Sequence, residues 1–319
     1  MNILVTGGLG FIGSNFINLY TQFFPEHKIY NIDKVSYAAS HQNVRVTNNN
    51  YEFIKCDLAN KDSLMSALEG IKFEKVFHFA AESHVDNSIS GPEPFIFSNI
   101  MGTYNLIEFF RDKDAFFLHV STDEVYGDLS MEEEPFSETT RYNPSSPYSA
   151  SKAASDHLVK SWVRTFKLPA IIVNCTNNYG PNQYIEKLIP KTITSALNGK
   201  QIAVYGNGTN IREWIYVEDF CRAILAVSEK GIIGETYNIG SGNELNNLEI
   251  IELICKILAE KTNVAFEDYK KLITMVDDRP GHDFRYAVNS KKIKDLGWDV
   301  TKDIVAGLNE TIDFFIERQ

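Results

Sequence analysis

Tyr148 and Lys152 stand in a Tyr-x-x-x-Lys pattern directly after Ser146 and Pro147. On a helix that spacing puts phenol and ammonium on one face, and a neighbouring cation favours the phenolate of a group whose pKa is about 10 in water. Such a tyrosine can take the proton of a substrate hydroxyl. Asp123 and Glu124 form a second candidate pair, next to the hydroxyl of Thr122 and after an apolar run. Close carboxyl groups push their pKa values apart, so that one stays protonated as an acid while the other serves as a base. The bland alternatives are a chance surface pairing for Tyr148 and Lys152 and a solvated loop for the carboxyl pair.

A third group of residues lies at the start of the chain. Thr6-Gly7-Gly8-Leu9-Gly10-Phe11-Ile12-Gly13 follows a short apolar run and leads into a helical pattern. Gly7, Gly10 and Gly13 allow a tight turn, close approach of backbone N–H groups to a pyrophosphate and close helix packing, while the helix N-terminus attracts negative charge. In this position the triplet is a dinucleotide fingerprint. A second apolar run ends at Asp33, where a carboxylate can accept hydrogen bonds from the ribose hydroxyls; this favours NAD over NADP, although Lys34 would suit a 2′-phosphate. Asp57, after a third run, suits either the adenine or the N-cap of the following helix.

The elements that must position these groups are visible as short apolar runs at 3–6, 29–32, 51–55, 76–79, 116–120 and 171–174, with helical patterns between most of them. Helices are predicted over 63–68, 100–110, 148–166 and 248–261, the last with Ile250, Ile251, Ile254, Ile257 and Leu258 on one side. Such alternation predicts an α/β fold, a Rossmann-type doubly wound parallel sheet whose strand carboxyl ends hold the ligands. Beyond 174 the chain turns to loops rich in Asn, Gly and Pro at 176–183, 206–210 and 277–283. The expected organisation is a dinucleotide-binding domain over 1–175, with segments near 215–240 returning to it, and a smaller, interleaved α/β substrate-binding domain over 176–319.

Composition narrows the partners. The 319 residues carry 42 acidic and 31 basic side chains, a formal charge of −11, with no basic run. That balance argues against nucleic acid or a membrane surface as partner, and an anionic substrate then needs locally placed cations. The sequence predicts neither a cleaved leader nor a membrane span, so a cytoplasmic location is expected. Cys56, Cys175, Cys221 and Cys255 lie far apart and form no cluster with histidine, which predicts free, buried thiols and no metal site.

The glycine fingerprint with Tyr148 and Lys152 resembles the extended short-chain dehydrogenase/reductase superfamily over nearly the whole chain. A finer resemblance, to the dTDP-glucose 4,6-dehydratases, is carried by Ser121-Thr122-Asp123-Glu124-Val125-Tyr126-Gly127, Asp33-Lys34-Val35-Ser36-Tyr37-Ala38, Ala80-Ala81-Glu82-Ser83-His84-Val85-Asp86, Asn177-Asn178-Tyr179-Gly180-Pro181 and Asp278-Arg279-Pro280-Gly281-His282-Asp283. The resemblance implies that NAD oxidises C4 of a nucleotide sugar, with Tyr148 as base and Thr122 on the hydroxyl. Glu124 then removes the C5 proton, Asp123 protonates the departing 6-hydroxyl, and hydride returns to C6. It implies further cofactor contacts from Phe11, Ile12, Ser36, Leu58, Ala80, Ala81, Ser83, Ser98 and Asn178. The substrate side would be Ser83, His84, Asn177, Lys187, Leu188, Ala203, Tyr205 and Asn247, with Arg212, Arg279 and His282 on the diphosphate. Two departures touch the base pocket and basic patch: Ala203 replaces an expected proline and Phe284 an expected basic residue. A homodimer packed through the helices at 100–110 and 148–166 is also implied. The competing readings are a UDP-sugar 4-epimerase or decarboxylase of the same fold, which usually lacks the Asp-Glu pair, and a non-catalytic NAD-binding regulator.

Overall fold

Strand β1 (Asn2–Thr6) is apolar on successive residues and buried on both faces, the pattern of a parallel strand covered by helices on either side. The computed structural model describes residues 1–46 and 49–318 and builds the chain around this strand. β2 (Lys28–Asp33), β4 (Lys75–His78), β5 (Phe116–Thr122) and β6 (Ala170–Cys175) have the same character, while β3 (Tyr51–Lys55), the edge strand, is only partly buried, so every strand expected over the first 175 residues is present. After β7 (Asn177–Tyr179), β8 (Ile202–Tyr205) and β9 (Ile211–Tyr216), β10 (Thr236–Ile239) returns to the first sheet. The seven-stranded order is β10-β6-β5-β4-β1-β2-β3, with all pairs parallel.

Alternation along β1 divides the core. Ile3 and Val5 meet Phe16, Ile17 and Tyr20 of helix Phe11–Phe23 and Phe220 and Ile224 of helix Val217–Lys230. Leu4 faces the other way, with Leu106, Ile107 and Phe110 of helix Gly102–Phe110 and Val159 of helix Pro147–Phe166. A third core, containing Ile250, Ile251, Ile254, Ile257 and Leu258 of helix Asn247–Thr262, supports two small sheets. These have the orders β11 (Glu244–Asn246)-β9-β7 and β12 (Ile273–Val276)-β8.

Several local expectations shift. The helix expected over 63–68 starts at Lys61, and its N-cap is Asn60, whose side chain accepts from Ser63 N; Asp57 instead accepts from Ala59 N in the preceding turn. The helix expected from 100 starts at Gly102, because Ile96–Met101 widens into a π-helix. The loop expected over 176–183 contains β7. All four cysteines are free and buried, and burial raises each thiol, Cys255 to about 11.

The Tyr148 helix is anchored at its first turn. Ser146 and Ser149 make a reciprocal capping box, and Pro147 occupies the first helical position where its missing N–H costs nothing. Ser146→Ala should destabilise the protein by about 1 kcal/mol, measured as a lower urea midpoint with an unchanged slope. An unchanged midpoint would mean that packing alone fixes the start of this helix.

Candidate active site

The sheet's strand order changes direction between β1 and β4, and the cleft opens where their carboxyl ends diverge. Gly7, at φ +70°, begins it: a Cβ there would lie 2.7 Å from the Ala80 backbone, and one on Gly13 would lie 2.4 Å from the Gly7 carbonyl. Glycine is therefore required for the β1 turn to approach both β4 and the following helix. Asp33 closes β2, and its carboxylate accepts from Leu9 N at 3.1 Å and Val35 N at 2.8 Å, tying the glycine turn to the second strand. Lys34 gives its charge to Glu82 at 2.6 Å and a hydrogen bond to Ser98 at 2.8 Å. That ion pair leaves it poorly suited to a 2′-phosphate.

One continuous cleft is lined by Gly7, Gly10, Phe11, Ile12 and Gly13 from the first turn and by Asp33, Lys34 and Ser36 after β2. Asp57, Leu58, Ala80, Ala81, Ser83 and Ser98 continue the wall, and Asn177, Asn178 and Lys187 complete it from the second half of the chain. Thr122, Asp123, Glu124, Tyr148 and Lys152 lie in the same cleft. Every residue expected on the cofactor side and in the catalytic group thus meets in one place. The remaining residues expected on the substrate side, His84, Leu188, Ala203, Tyr205, Arg212, Asn247, Arg279 and His282, are not among those lining it.

Their contacts explain why. Arg212 is buried, donates to the main-chain carbonyls of Ile211, Asp283 and Phe284, and lies 4.3 Å over the Tyr286 ring. Arg279 pairs with Asp86 at 3.1 Å, and Tyr205 donates to the same carboxylate at 3.0 Å. His282 Nδ1 lies 2.6 Å from Asp278. Ala203 is exposed on β8, while Asn247 is buried at the start of its helix. Arg279 and Arg212 nevertheless reach the cleft electrostatically, because with Lys187 they hold down the Glu124 carboxyl against the rise caused by burial.

The chemistry concentrates at the end of β5. Thr122 caps the 3₁₀ turn Asp123–Tyr126 through Glu124 N, and its hydroxyl donates to Asp123 Oδ1 at 3.2 Å. Asp123 Oδ2 is buried and makes no hydrogen bond within the protein. Burial first, then Glu124 and Glu213, push its carboxyl well above the usual range, which keeps it protonated. Glu124, partly buried and facing cations, is raised less strongly; the two acids therefore have unlike environments.

One expectation is corrected. Tyr148 was to be lowered by Lys152, but burial and then Glu124 push the phenol well above its ordinary value, with only a Thr122 hydrogen bond opposing them among the leading causes. The Lys152 ammonium instead donates to the Val120 carbonyl at 2.9 Å, and burial lowers its own pKa. Gln183, Tyr184 and Glu186 also line the cleft without having been expected there; the only hint was that the loop after 176 was rich in polar and turn-forming residues.

This fold and site define a nucleotide-binding α/β protein with a Tyr–Lys pair and a second, acidic pair in one cleft. The family model described as GDP-mannose 4,6 dehydratase matches residues 4–311, and the chain belongs to that family of nucleotide-sugar dehydratases. It is 46% identical over 334 residues to the dTDP-glucose 4,6-dehydratase of Neisseria gonorrhoeae, a match spanning 100% of this chain and 96% of the relative. Among solved structures, dTDP-glucose 4,6-dehydratase from Bacillus anthracis str. Ames in complex with NAD is similar at TM-score 0.89 and 41% identity, over 99% of this chain and 97% of that one. DesIV from Streptomyces venezuelae, a dTDP-glucose 4,6-dehydratase, is similar at TM-score 0.91 and 37% identity, with the same coverages of 99% and 97%. Among the described residues no helix is long and apolar enough to cross a membrane.

The Gly7 turn gives a direct check on the cleft. Gly7→Ala should abolish copurification of a dinucleotide while leaving the far-UV spectrum of the folded protein, because the added methyl collides with backbone at Ala80. Undiminished nucleotide content in the variant would show that the dinucleotide does not depend on this turn.

Proposed function

We propose that the chain is an NAD-dependent nucleotide-sugar 4,6-dehydratase that converts dTDP-glucose to dTDP-4-keto-6-deoxyglucose. The observation that carries this reading is the unlike pair Asp123 and Glu124, set beside Tyr148 in the cleft that begins at the glycine turn. An epimerase or a silent regulator has no use for a buried acid next to a carboxylate held by three cations.

The cleft fits NAD. The tight turn of Gly7, Gly10 and Gly13 lines the cleft, Asp33 presents a carboxylate at the end of β2, and Lys34 is neutralised by Glu82. Asn178 Oδ1 and Thr176 Oγ1 are buried without partners, ready for polar groups of a ligand. Bound NAD supplies the reversible hydride acceptor that takes hydrogen from C4 and returns it to C6. The first 175 residues, with the returning segment near 215–240, serve as its lobe, and 176–319 serve mainly the nucleotide sugar.

The protein's own groups then divide the proton transfers. Thr122 holds the sugar 4-hydroxyl and Tyr148 takes its proton, while Lys152 offsets the phenolate charge that burial and Glu124 oppose. A carbonyl at C4 acidifies the C5–H bond. Glu124 removes that proton, and Asp123, protonated because it is buried beside other carboxylates, delivers its proton to the departing 6-hydroxyl. Water leaves, and Glu124 returns its proton to C5 as hydrogen arrives at C6. On the substrate side, Ser83, His84, Asn177, Lys187, Leu188, Ala203, Tyr205 and Asn247 hold the nucleotide sugar, with Arg212, Arg279 and His282 directed at the diphosphate.

The reading extends to assembly and location. Ile96, Phe97 and Met101 are exposed on one helical segment and Phe166 at the end of the Tyr148 helix, which suits a homodimer joined through these two helices in the cytoplasm. Phe97→Glu should shift the sedimentation of the protein from dimer to monomer, whereas a parent that already sediments as a monomer would remove the dimer.

The catalytic assignment is tested with dTDP-glucose deuterated at C5. Tyr148→Phe should lose oxidation and water loss together, by about 10²–10⁴-fold. Glu124→Gln should keep the C5 label far longer than the parent, and Asp123→Asn should eliminate water slowly while oxidation at C4 persists. Near-normal elimination by the double variant Asp123→Asn, Glu124→Gln would remove the acid and base roles given to this pair.

A further inference from the structure

The helix Pro147–Phe166 carries Tyr148, Lys152, Asp156 and Lys160 at four-residue intervals, a single stripe along one face. The first two residues reach the cleft. The third does not line it, yet Asp156 is completely buried. Its carboxylate is held through one oxygen: Ser121 Oγ donates to Oδ2 at 2.8 Å and Tyr142 donates to Oδ2 at 2.9 Å, while His119 Nε2 lies 3.2 Å from Oδ1 without hydrogen-bonding it. Lys160 donates to the Tyr142 hydroxyl at 3.3 Å and so closes the outer end.

This is more polar machinery than a helix needs for packing. Ser121 and His119 are on β5, on either side of Val120, whose carbonyl receives the Lys152 ammonium. The same short piece of strand therefore fixes both Lys152 and Asp156. We propose that Asp156 is a positioning residue of the active site: one helical turn behind Lys152, its fixed carboxylate is the counter-charge that holds the ammonium in the cleft. This rests on the dehydratase reading for the role of Lys152.

The charge balance around the pair supports it. Lys152 is faced by Tyr148 and Asp156 on its own helix, His119 on β5, His78 on β4 and Cys175 on β6. Burial drives His119 down to about 4 and His78 well below its ordinary value, so both imidazoles are neutral at physiological pH. Burial raises the Cys175 thiol, which is also neutral. Around Asp156, Tyr142 and Tyr126 are likewise pushed up and uncharged, leaving Lys152 and Lys160 as cations, one helical turn to either side. Hydrogen bonds and the His119 contact lower the Asp156 carboxyl despite its burial, so it is ionised. A buried ammonium without a counter-charge tends to lose its proton. A neutral Lys152 would leave the Tyr148 phenolate unsupported.

The test reads the charge directly. With lysine labelled with carbon-13 at Cε, the Lys152 signal, assigned by its disappearance in Lys152→Arg, is followed against pH. In Asp156→Asn, which keeps an acceptor for Ser121 and Tyr142, it should change to the neutral form roughly one pH unit earlier than in the parent, and Asp156→Glu should restore it. In turnover of dTDP-glucose, Asp156→Asn should lower kcat about tenfold with little change in KM, and the isotope effect of C4-deuterated substrate should rise. The same titration in parent and Asp156→Asn would overturn the proposal and leave the network a packing device. Should that variant fail to fold, the Asp156 carboxyl carbon of a parent labelled with carbon-13 at aspartate Cγ decides: ionised at neutral pH supports the proposal, protonated overturns it. Neither titration involves substrate, so a parent that fails to turn over dTDP-glucose would defeat the dehydratase reading alone.

Discussion

The structure turns on charge held out of water at the carboxyl end of β5. Asp123, at the end of β5, and Tyr148 and Lys152, one helical turn apart, are buried, and Glu124, partly buried, lines the same cleft. Each would be better solvated on the surface, and burying an ionised group without a partner costs several kcal/mol. The protein meets this cost by leaving Asp123 protonated, facing Glu124 with Arg279, Arg212 and Lys187, and fixing Lys152 on the Val120 carbonyl. Acid, base and cation follow from where each group is buried, not from residue type alone.

The scaffold makes such placement affordable. Parallel strands with helices on both faces bring the ends of β1, β2, β4 and β5 to one edge, so residues distant in sequence share one cleft without a long loop. The capping box at Ser146 fixes the axial position of the Tyr148 helix, and the 3₁₀ turn capped by Thr122 aims the two acids. Asp86 gathers Arg279 and Tyr205 from segments more than a hundred residues later, tying the early part of the chain to the late one.

Much of this was legible in the sequence because it depends on local rules. Period-2 and continuous apolar runs mark strands, three glycines after the first of them mark a tight turn, and Tyr148 to Lys152 is a helical repeat whatever surrounds it. What escaped depends on tertiary environment. Lys152 was expected to depress the Tyr148 phenol, since spacing shows the neighbour but not the burial or the approach of Glu124 that outweigh it. Arg212 carries its charge in the sequence, but its three carbonyl partners come from residue 211 and from a loop some seventy residues on. Asp57 and Asn60 are both good capping residues, and only the actual start of the helix chooses Asn60. The π-helical stretch Ile96–Met101 has no sequence signal, and the short β7 hides among turn formers. The stripe from Tyr148 to Lys160 was readable by spacing alone, yet its buried Asp156 gains meaning only from Ser121, Tyr142 and His119.

One cleft oxidises C4, eliminates water across C5 and C6, and then reduces C6. dTDP-glucose carrying deuterium at C4 follows that sequence in a single measurement. The purified protein should yield a 4-keto-6-deoxy product bearing the deuterium at C6, found by mass and by its proton spectrum. Deuterium still at C4 in an epimerised sugar, or a 4-keto-6-deoxy product from which the label is missing, would contradict it.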